Sequence, residues 1–327
     1  MSAAPPKMLV YIRRPGEQMT DCARQILQQA LGRHMDGKPY ALIDYPSYAN
    51  PGDAAIWCGA RGLLETAAGR APSYVSTLRH FDADECRRAV AGGPVFFLGG
   101  GNFGSLYEKH HRLRLRAVEQ IADQVIVLLP LSVAEKPLPA SDPVLVARTR
   151  EVFGGCARLT ILSREHRSRA ILRDVYGLDS SLCPDTAHGL APPVQAPVVG
   201  LVRLARCDGE APRRETAHKS SKDDAFDWSD DASLRWINRA GKLAPLIPVQ
   251  RLRLAAFDHV ARRKVAVACR LLGRGRVVAT DRLHGVILAD LMGREVIASD
   301  NATGKVRSYV ETWAAQLTRV SLAAGEE

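Results

Sequence analysis

The amino-acid sequence predicts an α/β protein of two lobes, each with a mostly parallel sheet, that face a cleft. Short apolar runs alternate with amphipathic helical patterns along most of the chain, which is typical of parallel sheets covered by helices on both faces. The segment APPVQAP at residues 191–197 interrupts this alternation, because its three prolines can continue neither a helix nor a central strand. It is predicted to link lobes at 1–190 and 198–327.

The elements of each lobe follow from these patterns. In the first lobe, a helix is expected at about 20–33, and further helices at 53–68, 82–91, 105–122 and 142–153. The strands between them are expected at 40–45, 72–78, 94–98, 124–129, 159–162 and 182–183. The second lobe is predicted to contain a strand at 198–204, a polar loop-like segment at 206–233, two helices, and a strand at 277–280 that leads into a third helix.

The composition is that of a soluble globular protein, with 46% hydrophobic and 24% charged residues. Neither a run of 18 apolar residues nor the apolar core of a signal peptide is present, so a cytoplasmic protein is expected. The seven cysteines are scattered without a CxxC or CxxH pair, which predicts buried free thiols and no metal site.

The net charge of +10 is concentrated in residues 251–276, where Asp258 is the only acid among eight cationic residues. Apolar residues recur there at helical spacing. The segment is therefore either a helix with a solvated basic face or a helix in peripheral contact with an anionic membrane, on the inner face. Nucleic acid is not an expected partner, because the chain has no zinc finger, no aromatic RNA-binding motif and no repeat.

The turn after the 277–280 strand is the most informative stretch. It places Asp281, Arg282 and His284 at the carboxyl end of a strand, where parallel α/β sheets bind ligands, and next to helix N–H groups that favour anions. The alternative is a purely structural turn, in which Asp281 caps the helix and Arg282 forms an ion pair.

The segment LGGGNFGSLY at 98–107 satisfies GxGxxG between a strand and a helix. The next strand ends without the acid that would hold a ribose, so a dinucleotide is not favoured. The glycines would let backbone N–H groups approach an anion or a sugar closely; otherwise the segment is a tight turn without a ligand.

Two further segments carry candidate residues. In NPGDAAI, Asn50 and Asp53 flank a turn that opens a helix, and Asp53 is either a helix cap or a carboxylate that acts as a base or binds a sugar hydroxyl. In CPDTAHGL, Asp185 and His188 follow a strand near the lobe junction, so His188 is either structural or functional.

Arg203 and Arg206 lie at the end of the first strand of the second lobe. If the strands are parallel, both would face the same cleft as Arg282. Converging arginines suit a phosphate or a carboxylate; the alternative is a set of surface arginines.

Taken together and in order, these segments resemble the polysaccharide pyruvyl transferase family. NPGDAAI, LGGGNFGSLY, VIVLLPLSV, CPDTAHGL, ARCDGE, the pair Asp227-Trp228, TDRLHG and DNATGK are similar to that family's motifs from about Asp44 to Trp313. Ser105 stands where the family has an acid and Leu131 where it has a glutamine. The insertion around 209–226 has no clear counterpart.

The resemblance implies two Rossmann-like lobes similar to GT-B glycosyltransferases. It also implies transfer of the enolpyruvyl group of phosphoenolpyruvate, as donor substrate without a further cofactor, to two hydroxyls of a sugar. The donor site would contain Arg282, His284 and Arg206, with His284 as general acid, and Asp53 or His188 would serve as base. Further substrate-binding candidates in the matched motifs are Asn50, Gly100, Gly101, Asn102, Asp185, Asn301 and Lys305. Arg203, just before ARCDGE, is a further candidate.

The acceptor implied is a sugar of an exopolysaccharide or capsule repeat unit, either free or lipid-linked. Two other functions are compatible with the residues: a GT-B glycosyltransferase that uses a nucleotide sugar, and a non-catalytic sugar-binding scaffold. The donor that binds separates these functions. The sequence indicates no oligomeric state.

Overall fold

A computed structural model of the chain describes residues 19–134, 142–207 and 225–323. Within these ranges the strands form two sheets with helices around them, and every strand pairing is parallel. The predicted α/β class with two mostly parallel sheets is therefore confirmed. Residues 190–198, which include the predicted linker, contain neither helix nor strand; the exact division into domains stays a prediction.

The first sheet has seven strands in the order β2-β1-β3-β5-β6-β7, and β4 pairs with β5. The strands are β1 Ala41–Ile43, β2 Tyr74–Ser76, β3 Val95–Phe97, β4 Gly100–Phe103, β5 Val125–Val133, β6 Arg158–Ser163 and β7 Ser181–Leu182. The helices of this half are α1 Met19–Gly32, α2 Pro51–Ala68, α3 Ala83–Val90, α4 Glu108–Gln120, α5 Pro143–Gly154 and α6 His166–Tyr176.

The second sheet has five strands in the order β12-β11-β10-β8-β9. They are β8 Val199–Leu204, β9 Ala225–Phe226, β10 Gly275–Thr280, β11 Glu295–Ala298 and β12 Val320–Leu322. The accompanying helices are α7 Ala232–Gly241, α8 Gln250–Gly273, α9 Leu283–Leu291 and α10 Lys305–Thr312.

Six elements were not predicted: β4, α6, β9, β11, α10 and β12. The strand β4 forms inside the glycine-rich segment, where intrinsic strand propensity is low. It forms because Gly100 and Phe103 pair with the far end of β5, at Leu131 and Val133. The polar segment at 206–233 was expected to be a loop, but its described part contains β9, a short 3₁₀-helix at Trp228–Asp230 and the start of α7. Most of the 209–226 insertion lies outside the described residues.

The long basic helix α8 packs its apolar side into the core. Phe257 is fully buried and stacks on Tyr45 with ring centroids 3.8 Å apart, and Trp57 of α2 donates a hydrogen bond to Asp258 at 2.9 Å. Lys264 is also buried. The helix is therefore a structural element between the two sheets, and its large apolar residues from Leu254 to Val267 are buried and not available to a membrane.

The structure also bears on the predictions for the cysteines and for a membrane-spanning helix. All seven cysteines are free, but Cys207 is exposed, so burial holds for only some of the thiols. Among the described helices, none is long and apolar enough to cross a bilayer.

Candidate active site

A cavity of about 410 Å³ lies where strands of both sheets end. The segments that line it follow β1, β4, β6, β8, β9, β10 and β11, or belong to β4 itself, so they gather at the carboxyl ends of parallel strands, the usual position of ligand sites in such sheets. The lining residues are Tyr48, Asn50, Asp53, Gly101, Asn102, Tyr107, His110, Arg164, Arg206, Trp228, Arg282, Leu283, His284 and Lys305.

Arg282 lines the cavity and also forms an ion pair, so it fits both interpretations of its turn. Its Nε and Nη2 atoms donate to the two carboxylate oxygens of Asp227, each at 2.6 Å, which fixes the plane of the guanidinium. Asp281 is not the helix cap: it accepts from the backbone N–H of Arg206 at 2.9 Å, and burial raises its pKa. It thereby holds the Arg206 segment beside the cavity.

The first turn of α9 faces the cavity through Leu283 and His284. In the described part of the chain, no side chain caps this helix. Its N-terminal N–H groups and the helix dipole therefore favour an anion at this end of the cavity.

A buried carboxylate lies behind His284. Nε2 of His284 is 3.4 Å from Oδ2 of Asp185, longer than an ordinary hydrogen bond, and Nη1 of Arg164 donates to the same oxygen at 2.7 Å. Burial alone would raise the pKa of Asp185, but the charges of His284 and Arg164 hold it well below its usual range. The carboxylate is thus a fixed negative charge that orients the Arg164 guanidinium and the His284 ring.

Gly52 has no side chain, and the His284 ring occupies the space that a side chain at this position would fill. A Cβ on Gly52 would lie 2.5 Å from Nδ1 and 2.8 Å from Cγ of that ring.

We expect Gly52→Ala to displace the imidazole and to lower turnover by about 10- to 100-fold, in line with the cost of misplacing a catalytic group by about 1 Å. Gly62→Ala is the matched control, because it lies on the same helix with no atom within 4 Å; steady-state assays should show unchanged turnover, and equal losses in both variants would contradict this role of Gly52.

Two cationic groups converge above Gly101. A Cβ on this residue would lie 3.3 Å from Nη2 of Arg164 and 3.3 Å from Nζ of Lys305. The adjacent Gly100 has φ +106 and would bring a Cβ to 3.4 Å from the Asp53 carboxylate. The glycine-rich segment therefore serves to keep side chains out of a space bounded by cations on one side and a carboxylate on the other.

Asn50, not Asp53, caps α2. Oδ1 of Asn50 accepts from the N–H of Gly52 at 2.9 Å, and its Nδ2 donates to Asp53 at 2.7 Å. The interpretation of Asp53 as the cap was wrong. Its carboxylate lines the cavity and is held in place by the cap residue.

A buried network supports the wall formed by β4 and α4. Asp44, with φ 73, accepts from Arg114 at 2.8 Å and lies 3.0 Å from Nε2 of His110. His110 in turn contacts the side chain of Asn102 at 2.9 Å. Burial opposes ionisation of Asp44, yet His110 and Arg114 lower its pKa. The network fixes the orientation of Asn102 and His110 toward the cavity.

Lys264 of α8 reaches the opposite rim from inside the protein. It is 1% exposed, and its Nζ donates to the carbonyl of Tyr48 at 2.6 Å and to Asn238 of α7 at 3.2 Å. Burial lowers its pKa to about 8, against the opposing effect of Asp53. Lys264 thus joins the Tyr48 rim to α7.

This burial has a measurable consequence for stability. The pKa of Lys264 in the folded chain, about 8, lies below its ordinary value of 10.5, so between these pH values the unfolded chain holds a proton that the folded chain has released. Relative to Lys264→Met, wild-type stability should therefore increase by roughly 3 kcal/mol as pH rises from 8 to 10.5. Denaturant unfolding of both proteins across this range measures it; a flat difference would contradict the assignment.

Five predicted site residues do not line the cavity. Gly100, next to Gly101, and Asp185, behind His284, border it, and the other three lie elsewhere. Arg203 is exposed on the face of the second sheet that also carries Val199 and Leu201, because side chains alternate along β8. His188 is fully buried and its Nε2 contacts Tyr309 at 2.9 Å, and burial lowers its pKa to about 4. It does not reach the cavity. Asn301 accepts from the N–H and hydroxyl of Thr303 and shapes a turn outside the cavity lining.

The cavity is strongly cationic. Arg164, Arg206, Arg282 and Lys305 line it, whereas Asp53 is the single lining carboxylate among the described residues. Within the described ranges, no group of three or more His, Cys, Asp or Glu residues could hold a metal ion; the expectation that no cofactor is needed stays a prediction. The arrangement suits a small molecule with several negative charges next to a titratable imidazole.

The fold and the cavity thus define an α/β protein with a cationic cavity at the carboxyl ends of its parallel strands. A family model for polysaccharide pyruvyl transferase matches residues 50–303. The chain therefore belongs to the polysaccharide pyruvyl transferase family and is a transferase.

Individual relatives agree with this assignment. The chain is 30% identical to a Bacillus subtilis protein named pyruvyl transferase EpsO, over 83% of this chain and 84% of that protein. It is 26% identical to pyruvyl transferase 1 of Schizosaccharomyces pombe, over 84% and 70% respectively. A crystal structure of a functionally uncharacterized Klebsiella pneumoniae protein has a similar fold, with a TM-score of 0.60 at 15% identity, covering 93% of this chain and 99% of the other.

Proposed function

We propose that this transferase moves the enolpyruvyl group of phosphoenolpyruvate to a pair of hydroxyls on one sugar of an exopolysaccharide or capsule repeat unit. The products are a pyruvate ketal and inorganic phosphate. The observation that supports this most strongly is the set of four cationic side chains around His284 in one cavity. Phosphoenolpyruvate carries a phosphate and a carboxylate, and both need fixed positive partners.

The donor is assigned to the end of the cavity near α9. Arg282 and Arg206 would bind the phosphate together with the N-terminal N–H groups of α9, and Arg164 and Lys305 above Gly101 would bind the carboxylate. The Asp227 carboxylate presets the Arg282 guanidinium, which lowers the entropy lost when the donor binds.

The reaction needs one proton at the methylene carbon of the donor. Because Nε2 of His284 lies toward the buried Asp185, we assign the delivery of this proton to Nδ1. Protonation leaves a cationic centre at C2, and the first hydroxyl forms a C–O bond there. The C2–O bond to phosphate then breaks, and the second hydroxyl closes the ketal. Of the two hydroxyl protons, one replaces the proton given by His284 and the other leaves with phosphate.

The acceptor is assigned to the other end of the cavity. Asp53 is the base in this scheme, because its carboxylate lines the cavity and is oriented by Asn50 at 2.7 Å. Asn50 and Asn102 offer amide groups that suit sugar hydroxyls. The proposal places the reaction in the cytoplasm, where phosphoenolpyruvate is made.

The test is to incubate the full chain with phosphoenolpyruvate and a panel of exopolysaccharide repeat-unit oligosaccharides, free and lipid-linked. Phosphate release that requires the acceptor, together with a new ketal methyl signal in the proton NMR spectrum of the glycan, is the expected result. Release of a nucleoside diphosphate from a nucleotide sugar, with none from phosphoenolpyruvate, would establish the glycosyltransferase alternative. Tight glycan binding without consumption of any donor would establish the scaffold.

A further inference from the structure

The connection between α7 and α8 exposes a cluster of large apolar side chains. Five such residues between positions 236 and 252 are 52% to 70% exposed. We call them the α7–α8 patch: Trp236, Leu243, Leu246, Val249 and Leu252.

The patch is the outer side of a well-anchored segment. Leu234, Ala244 and Leu254 alternate with the exposed residues and are buried in the core. Single exposed apolar residues are ordinary on protein surfaces, but five large ones within seventeen residues of the chain, with a tryptophan among them, indicate an interaction surface.

The charged residues within the segment that carries the patch all have one sign. Residues 232–257 contain no Asp or Glu. Four exposed cationic side chains lie in this segment: Arg235, Arg239, Lys242 and Arg251. One acid from another element contacts the segment: Glu85 of α3 accepts from Gln250 at 2.8 Å. Apolar side chains with an aromatic ring, on a segment whose own charges are all positive, fit the interfacial region of an anionic bilayer.

We infer that the α7–α8 patch is a docking surface for an anionic lipid bilayer. The patch inserts its apolar side chains at the headgroup level, and the surrounding cations contact anionic headgroups. Only Leu252, in the first turn of α8, belongs to this surface; the large apolar residues of α8 from Leu254 to Val267 are buried. The inference does not depend on which donor the cavity binds.

The patch is close to the cavity rim. Lys264 donates to the carbonyl of Tyr48, which lines the cavity, and to Asn238, two residues after Trp236. Docking through the patch would therefore hold the acceptor end of the cavity near the headgroups. This position suits an acceptor sugar that is attached to a lipid.

The experiment is sedimentation of the full chain with phosphatidylcholine vesicles, with and without phosphatidylglycerol, at low salt. We expect binding only to the anionic vesicles. Trp236→Ser and Leu246→Ser should each weaken it by about tenfold or more, since each removes a large apolar contact. Val144→Ser, at a residue 69% exposed on α5, is the matched control and should bind as the wild type does.

Charge-reversal variants test the role of the cationic side chains. Arg239→Glu together with Arg251→Glu should abolish binding, whereas Arg173→Glu on α6 should not. Failure of the wild type to bind anionic vesicles, or equal binding by Trp236→Ser, would overturn the inference. A concentration-dependent dimer in solution that Trp236→Ser disrupts would also overturn it, because a second copy would then cover the patch. Phosphoenolpyruvate binding by Trp236→Ser is measured in parallel. It separates failure of the docking inference from failure of the proposed reaction.

Discussion

Replacing His284 by alanine is expected to lower turnover by about 100- to 10,000-fold, the usual contribution of a positioned general acid. The Michaelis constant for phosphoenolpyruvate should change little, because the arginines rather than the imidazole hold the donor. Asp185 would keep its Arg164 partner at 2.7 Å, so the fold should persist. Single-turnover and steady-state phosphate release with a saturating acceptor measure the effect.

His259→Ala is the matched control for this variant, because His259 is exposed on α8 and does not line the cavity. It should retain wild-type turnover. Near-full turnover in His284→Ala would contradict the assignment of the acid. A rise in the Michaelis constant without a change in turnover would show instead that His284 only binds the donor.

Replacing Arg282 by alanine is expected to raise the dissociation constant of phosphoenolpyruvate by about 100-fold or more, since hydrogen bonds between charged groups contribute roughly 1.5–3 kcal/mol each. The same change leaves the buried Asp227 carboxylate without its bidentate partner. Thermal stability should therefore fall as well. The double variant Arg282→Ala with Asp227→Asn removes the unpaired charge and should regain stability without regaining donor binding.

Arg203→Ala is the control for charge. Like Arg282→Ala, this variant removes one arginine, but Arg203 lies near the end of β8 on the exposed face of the sheet. Calorimetric titration should give wild-type donor affinity for this variant. If Arg203→Ala weakened binding as much as Arg282→Ala, the donor would be held by general electrostatic attraction and not by the cavity.

The periodicity of the sequence was enough to predict the sheet class and most of the elements. Runs such as residues 95–97 and 125–129 are apolar throughout, as strands buried on both faces require. The strand β4 could not be predicted in this way, because its glycines form a strand only through pairing with the end of β5. Tertiary contact, not local propensity, decides that element.

The site was predictable where a motif places a side chain just after a strand, as for Arg282 and Asp53. Arg164 gave the same signal, a cation directly after the apolar run of β6, and was overlooked. The same reasoning failed for Arg203. This residue lies within β8 rather than after it, and the alternation of side chains along the strand places it on the exposed face of the sheet, away from the cavity. The Asp44, His110 and Arg114 network joins residues far apart in sequence, so only the fold brings them together.

The most direct test of the central claim is calorimetric titration of the full wild-type chain with phosphoenolpyruvate, alongside UDP- and GDP-sugars. The proposed donor site predicts saturable binding of one phosphoenolpyruvate per chain, competed by inorganic phosphate and lost in Arg282→Ala, with no binding of the nucleotide sugars. Binding of a nucleotide sugar in the absence of any phosphoenolpyruvate binding would contradict it.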